Sequence, residues 1–264
     1  MDLLIKNQKS VNQKSKMQNL SIKNQKSKIK NVHGFLLDFG GTIDTNGLHW
    51  AEVLWLAYSE AGVPVEKQIF REAYKHGERT LAIQPIIKPE YNFYDVLIAK
   101  TDIQLRYLAE AGHLPASFDI PEVSEQISIF CYDLVKNTVC KAVSVLDILS
   151  KSYPIVLVSN FYGNIRTVLE DLELDKYFRN IVESAVVGVR KPDPEIFMLG
   201  VRALGFEAGR IAVVGDSYSK DIIPAKQAGC QTVWLKGKEW EETADTGKAD
   251  IIIYSFSELK ELFE

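Results

Sequence analysis

Asp38 closes the apolar run "GFLLDF" (34–39) and opens the turn "GGTIDTNG" (40–47), so a single carboxylate is delivered into a segment with two glycines and a threonine. A carboxylate in that position can attack phosphorus or ligate a hard cation. Such chemistry usually has a second carboxylate two residues on, and Gly40 stands there instead. Three later segments end in the same way: Ser159 and Asn160 close "PIVLVSN" (154–160), Lys191 precedes Pro192 in "RKPDPEIF" (190–197), and Asp216 and Asp221 follow "VVG" in "VVGDSYSKD" (213–221). Any one aspartate at a strand end is ordinary turn or cap chemistry. Their joint placement on successive strand ends is not explained that way.

The elements that must position these groups alternate between two periodicities. Strand-like runs occur at 35–39, 154–160, 180–187, 210–216, 231–235 and 250–254. Helical stretches separate the later runs at "YGNIRTVLEDLEL", "DPEIFMLGVRALG" and "SYSKDIIPAKQAG". The second of these places Asp193 as an N-cap before Pro194 and ends at Gly205. Val- and Ile-rich strands alternating with single helices predict an α/β fold, a doubly wound parallel sheet with helices on both faces. Ligands of such sheets bind at the carboxyl ends of the strands.

The stretch between the first two runs is different, being helical in periodicity throughout. Segments 49–62, 65–77, 93–112 and 121–152 read as amphipathic helices, the last as two elements. A structureless loop of that length is implausible inside a compact domain. The expected organisation is therefore a core domain of residues 33–46 and 153–264, with a helical cap of residues 47–152 emerging beside Asp38. His49, Trp50, Arg71, Arg79 and Tyr94 are candidates for the cap's lining.

Composition bounds the reading. A chain of 264 residues that is 46% hydrophobic can bury one sizeable core with an inserted subdomain. It has no apolar run of about 18 residues, so no membrane span is expected. The net charge of −4 gives no case for nucleic-acid binding. Residues 1–32 are a polar, lysine-rich tract repeating "KNQKS", expected to be disordered. The three cysteines form no metal or redox pair, and with no secretory signal they point to a reducing, cytoplasmic compartment.

Together "DFGGT", "VLVSN", "RKPDPEIF" and "VVGDSYSKD" resemble, in order and spacing, the four motifs of the haloacid dehalogenase superfamily, over residues from about 33 to the end. That resemblance implies a Rossmann-like core with a cap between the first two motifs. It implies Asp38 as a nucleophile forming an aspartyl intermediate, Ser159 and Lys191 as catalytic partners, and a Mg²⁺ held by Asp38, the Gly40 carbonyl and Asp216. Thr42, Asn160 and Asp221 would support them. The expected substrate is a small phosphorylated metabolite.

Gly40 departs from the motif. Glycine retains the carbonyl but lacks the carboxyl that protonates the leaving group and activates water, so general acid/base catalysis should be weakened, by about 10²–10⁴-fold if nothing replaces it. Asp44 lies four residues on, and the turn leaves its reach open. Dehalogenation is disfavoured because Asp216 and Asp221 are both present. Two alternatives remain: a phosphonate-cleaving hydrolase using a cap lysine (Lys67, Lys75 or Lys88), and a degenerate phosphate-binding regulator.

Overall fold

All four residues of β1 (Gly34–Leu37) are buried, as a strand covered on both faces requires. In the computed structural model, which describes residues 28–238 and 247–263, β1 lies inside a six-stranded sheet with β2 (Ile155–Ser159), β3 (Asn180–Glu183), β4 (Ile211–Gly215), β5 (Gln231–Leu235) and β6 (Ile251–Ile253). The order is β3-β2-β1-β4-β5-β6 and every pairing is parallel. Chain order reverses between β1 and β4, where Leu37 is in register with Val214, and this is where a doubly wound sheet opens a crevice. Alternate residues of β1 feed different cores: Phe35 and Leu37 pack in one cluster, Leu36 in another with Val156, Val158 and Phe197. The fold is the expected α/β core with a helical cap.

Each predicted strand is present, most of them trimmed by one or two residues and one cut to half its length. The run 180–187 is strand only to Glu183, and α6 (Ser184–Val187) occupies the rest. On the core, α5 (Ile165–Asp171) follows β2, α7 (Glu195–Leu204) follows the loop carrying Lys191, α8 (Ile223–Gln227) follows β4, and α9 (Leu259–Phe263) follows β6. The side chain of Asp193 accepts from the Glu195 amide at 2.9 Å, and Gly205 ends α7 at φ +76°. Ahead of α8, residues Tyr218–Ile222 form a π-helical turn, a wider coil than the sequence suggests and one often found at functional sites.

Four helices lie between β1 and β2: α1 (Trp50–Glu60), α2 (Lys67–Ile83), α3 (Phe93–Glu110) and α4 (Ile120–Ser152). Residues 120–152 form one helix of 33 residues rather than two. Ile127, Cys131, Val135, Val139, Ala142, Val145, Leu146 and Leu149 make one unbroken buried stripe along it, and no glycine or proline interrupts the stripe. The far half of α4 reaches the core, where Tyr177 donates to Asp147 at 2.7 Å and Lys260 to Ser144 at 2.8 Å.

Among the described residues no helix is long and apolar enough to cross a membrane. The lysine-rich tract lies outside the described residues up to residue 27. Lys30 already joins the core, exchanging two backbone hydrogen bonds of 2.9 Å with the Gln231 side chain.

Where the chain leaves the core for α1, Gly47 (φ +87°) lies against Gly237, in the segment after β5. The His49 amide donates to the Lys238 carbonyl at 3.1 Å, and buried Glu52 binds both Lys67 (2.6 Å) and Lys238 (2.7 Å). A Cβ at Gly237 would overlap the Gly47 carbonyl. Gly237→Ala should therefore force this joint apart and cost about 1–3 kcal/mol, read as a lowered midpoint in thermal unfolding.

Candidate active site

Parallel strands bring the sequence's four polar segments to one crevice. Asp38 follows β1, Ser159 ends β2, and Asp216 follows β4, on three neighbouring strands. All three line one cavity of about 580 Å³ with Gly40, Asp44, Asn160, Lys191 and Asp221. Lys191 is at the centre. Its Nζ lies 2.7 Å from Asp38 Oδ1 and 2.7 Å from Asp221 Oδ1, and it is 4% exposed.

Neighbouring residues fix each of these groups. Asn160 holds the backbone of Lys191 from both sides, accepting from its amide at 2.9 Å and donating to its carbonyl at 3.1 Å. The Thr42 hydroxyl donates to Asp216 Oδ1 at 3.2 Å and accepts from the Asp216 amide at 3.1 Å. Asp221 Oδ2 accepts from the Ser217 amide at 3.0 Å, a contact made possible by the π-helical turn. Two glycines are required for these approaches. A Cβ at Gly215 would collide with Asp221, and one at Gly41, where φ is +91°, would collide with the Asp216 carboxylate.

Gly40 is different. Its φ is not in the left-handed region, and a Cβ there would meet only the Trp50 indole, at an ordinary 3.9 Å. Backbone conformation therefore does not demand glycine at 40. The Trp50 Nε1 donates to Asp44 Oδ2 at 2.8 Å, while Asp44 Oδ1 accepts from the Gly41 amide at 2.7 Å. Thus Asp44 ties the turn after β1 to the first cap helix.

The electrostatics show what the cluster lacks. Burial pushes Asp38 up to about 6, against the downward pull of Lys191, with Asp221 adding to the rise. Burial and then the like charges of Asp221 and Asp38 push Asp216 well above the usual carboxylate range. Burial would discharge Lys191, but Asp221 and Asp38 overcome it and raise its pKa. One oxygen from each of Asp38, Asp216 and Asp221 lies within 4.8 Å of the others. One ammonium does not neutralise three carboxylates. An all-oxygen set of this kind suits a hard divalent cation, with Gly40 beside it on the cavity wall.

From the cap, α2 presents Tyr74, Glu78, Leu81 and Ala82 to the cavity, and α3 presents Phe93, Val96, Leu97 and Lys100. Of the cap residues singled out in the sequence, His49 and Trp50 line the cavity, whereas Arg71, Arg79 and Tyr94 do not. Lys67, Lys75 and Lys88 are also absent from the lining; Lys67 is engaged by Glu52, and Lys88 lies 5.6 Å from the Tyr91 ring. Sequence reasoning missed Tyr74, Glu78 and Lys100. The available signal was a charged residue within an otherwise apolar helical stripe, as Lys100 is among Phe93, Val96, Leu97, Gln104 and Leu108.

A family model for haloacid dehalogenase-like hydrolases matches residues 32–229. The chain belongs to the haloacid dehalogenase-like hydrolases. Among curated members, a glyceraldehyde 3-phosphate phosphatase from Pyrococcus furiosus is 36% identical over 93 residues, 35% of this chain and 38% of that protein. A phosphoglycolate phosphatase from Escherichia coli K12 is 33% identical over 112 residues, 42% of this chain and 44% of that protein. The match thus spans less than half the length of these relatives. Solved haloacid dehalogenase-like structures share the fold: the magnesium-bound putative hydrolase YfnB from Bacillus subtilis has a TM-score of 0.56 at 19% identity, with 88% of this chain and 99% of that one covered. A dehalogenase has a TM-score of 0.61 at 16% identity, covering 89% and 98%.

The raised carboxyls have a consequence for stability. Asp38 and Asp44, at about 6 and about 7 through burial, retain protons in the folded state that the unfolded chain releases near the ordinary aspartate value of 3.8. Their contribution to stability is complete below that value and lost as pH rises through 6 to 7. In chelator, stability should therefore fall from pH 5 to pH 8, and Asp38→Asn, which cannot ionise, should remove on the order of 2 kcal/mol of that fall. Denaturant midpoints at the two pH values check this.

Proposed function

We propose that the protein is a Mg²⁺-dependent phosphatase of small phosphate monoesters that works through an aspartyl-phosphate on Asp38. The observation that carries this reading is the Asp38–Lys191–Asp221 array with Asp216 at the mouth of β1 and β4. Asp38, Asp216 and the Gly40 carbonyl would hold Mg²⁺, which when bound would supply Lewis-acid polarisation of the phosphoryl oxygens. A carboxylate oxygen of Asp38 bonds to phosphorus as the bond to the leaving alcohol oxygen breaks. Lys191 and the Ser159 hydroxyl stabilise the phosphoryl oxygens. Water then attacks phosphorus, releasing inorganic phosphate and restoring the Asp38 carboxylate. Asn160, Thr42 and Asp221 are positioning residues, each acting through the hydrogen bonds described above.

Acid/base assistance is the weak part. Both Asp44 oxygens accept hydrogen bonds, so Asp44 braces the turn, and its buried carboxyl, pushed up to about 7, is the acid left near Gly40. The phosphonate alternative loses support because the cap lysine that lines the cavity, Lys100, is paired with Glu78 at 2.7 Å and held charged, whereas a Schiff base needs a neutral amine. Three free cysteines, two of them buried, fit the cytoplasmic reading.

Hydrolysis of an aryl phosphate should require Mg²⁺ and stop in chelator, and Asp38→Asn should abolish it with an unchanged circular dichroism spectrum. Activity in chelator would sink the metal requirement, and activity of the variant would sink the nucleophile assignment. Phosphorylated Asp38 accumulating in a single-turnover assay without release of phosphate would instead favour the degenerate regulator.

Because a Cβ fits at Gly40, Gly40→Asp should fold and should speed hydrolysis of alkyl phosphates by about 10²-fold, the lower range for general acid catalysis. Aryl phosphates, whose leaving groups need little protonation, should gain much less. Steady-state kinetics on an alkyl and an aryl ester, run side by side, make the comparison.

A further inference from the structure

The cap side of the cavity contains a charged pair that phosphoryl transfer does not use. Glu78 on α2 and Lys100 on α3 meet at 2.7 Å, and the Tyr162 hydroxyl donates to the other Glu78 oxygen at 3.4 Å. The Lys100 ammonium lies 5.8 Å from the Trp50 ring and 5.6 Å from the Tyr162 ring. Only 9% of the Lys100 side chain is accessible, against 35% for Glu78, and both residues face the cavity. Burial works against both charges, yet each stabilises the other, leaving Glu78 below its ordinary value and Lys100 well above its own.

A pair in this setting is poorly explained by stability, since desolvating two charges offsets most of their attraction. What it provides is an acceptor beside a donor, fixed by two helices and bordered by aromatic faces. Hydroxyl groups satisfy both members at once, and the C–H faces of a polyol or sugar suit the neighbouring rings. A carboxylate on the leaving group would meet Lys100 together with Glu78, and a net-neutral pair gives no return for its desolvation. Of the other cations in the lining, Lys191 is engaged by Asp38 and Asp221, and the exposed Arg190 and Lys220, the latter also acting on Glu78, favour approach of the phosphate dianion.

We propose that the Glu78–Lys100 pair determines specificity, selecting phosphate monoesters of uncharged, hydroxyl-bearing alcohols over esters whose leaving group carries a carboxylate. This rests on the phosphatase reading, and the test separates the two. Binding of glycerol phosphate and of phosphoglycolate to the full-length Asp38→Asn protein with Mg²⁺ is measured by calorimetry, which needs no turnover. Glycerol phosphate should bind more tightly by about tenfold, the equivalent of one hydrogen-bonding contact. Adding Glu78→Gln, which preserves shape and removes the negative charge, should weaken glycerol phosphate and strengthen phosphoglycolate, each by about tenfold. In the otherwise native protein, hydrolysis of p-nitrophenyl phosphate tests the phosphatase reading separately. Tighter binding of phosphoglycolate, equal binding of the two esters, or binding of neither overturns the proposal, as does a change of both esters in the same direction. A preserved preference in binding with no hydrolysis of p-nitrophenyl phosphate would overturn the phosphatase reading alone.

Discussion

The site depends on one buried ammonium. Lys191 lies between Asp38 and Asp221 at equal distances of 2.7 Å, and without it the crevice would contain three carboxylates in a space from which water is largely excluded. Truncating one partner of such a pair strands the other, which is far more costly than the net value of the pair. The neighbouring architecture is consistent with that constraint: Asn160 clamps the Lys191 backbone, Ser217 and Thr42 satisfy Asp221 and Asp216, and glycines 41 and 215 allow the carboxylates to pack against main chain. The residual negative charge on a cluster of carboxylate oxygens is what suits the array to a hard divalent cation.

The cap contributes chemistry of another kind. It presents apolar and aromatic surface, with Phe39, Trp50, Phe93 and Phe161 forming edge-to-face contacts of 5.6–6.0 Å where cap meets core. Among the described cap residues of the lining, Glu78 and Lys100 form the charged pair. The carboxylate–lysine array of the core and the charged pair of the cap thus come from separate parts of the chain, which share one cavity.

Much of the core and its polar groups could be read from the sequence because parallel strands obey strong local rules. Apolar Val/Ile runs bounded by polar turns located all six strands, and a doubly wound sheet has only one edge at which Asp38, Ser159 and Asp216 can converge. The cap was harder for a physical reason. Helical periodicity identifies the buried face of a helix but not what it is buried against, so Arg71, Arg79 and Tyr94 looked as suitable as Tyr74 and Glu78. The Trp50–Asp44 bond was equally hidden, since it joins a loop residue to a helix start across the cap–core joint. The single α4 was missed because its length exceeds the common range for globular helices, although its apolar stripe never breaks.

That continuous helix gives the cap an unusual mounting. At about 1.5 Å of rise per residue, 33 residues make a rod roughly 50 Å long, with one end inside the cap bundle and the other clasped by Asp147–Tyr177 and Ser144–Lys260 on the core. A rod anchored at both ends transmits torque. The return path to the core is therefore a continuous helix rather than a slack tether. The other strand of the joint is a close crossing, where Gly47 meets Gly237 and the Lys238–Glu52 pair closes beside it.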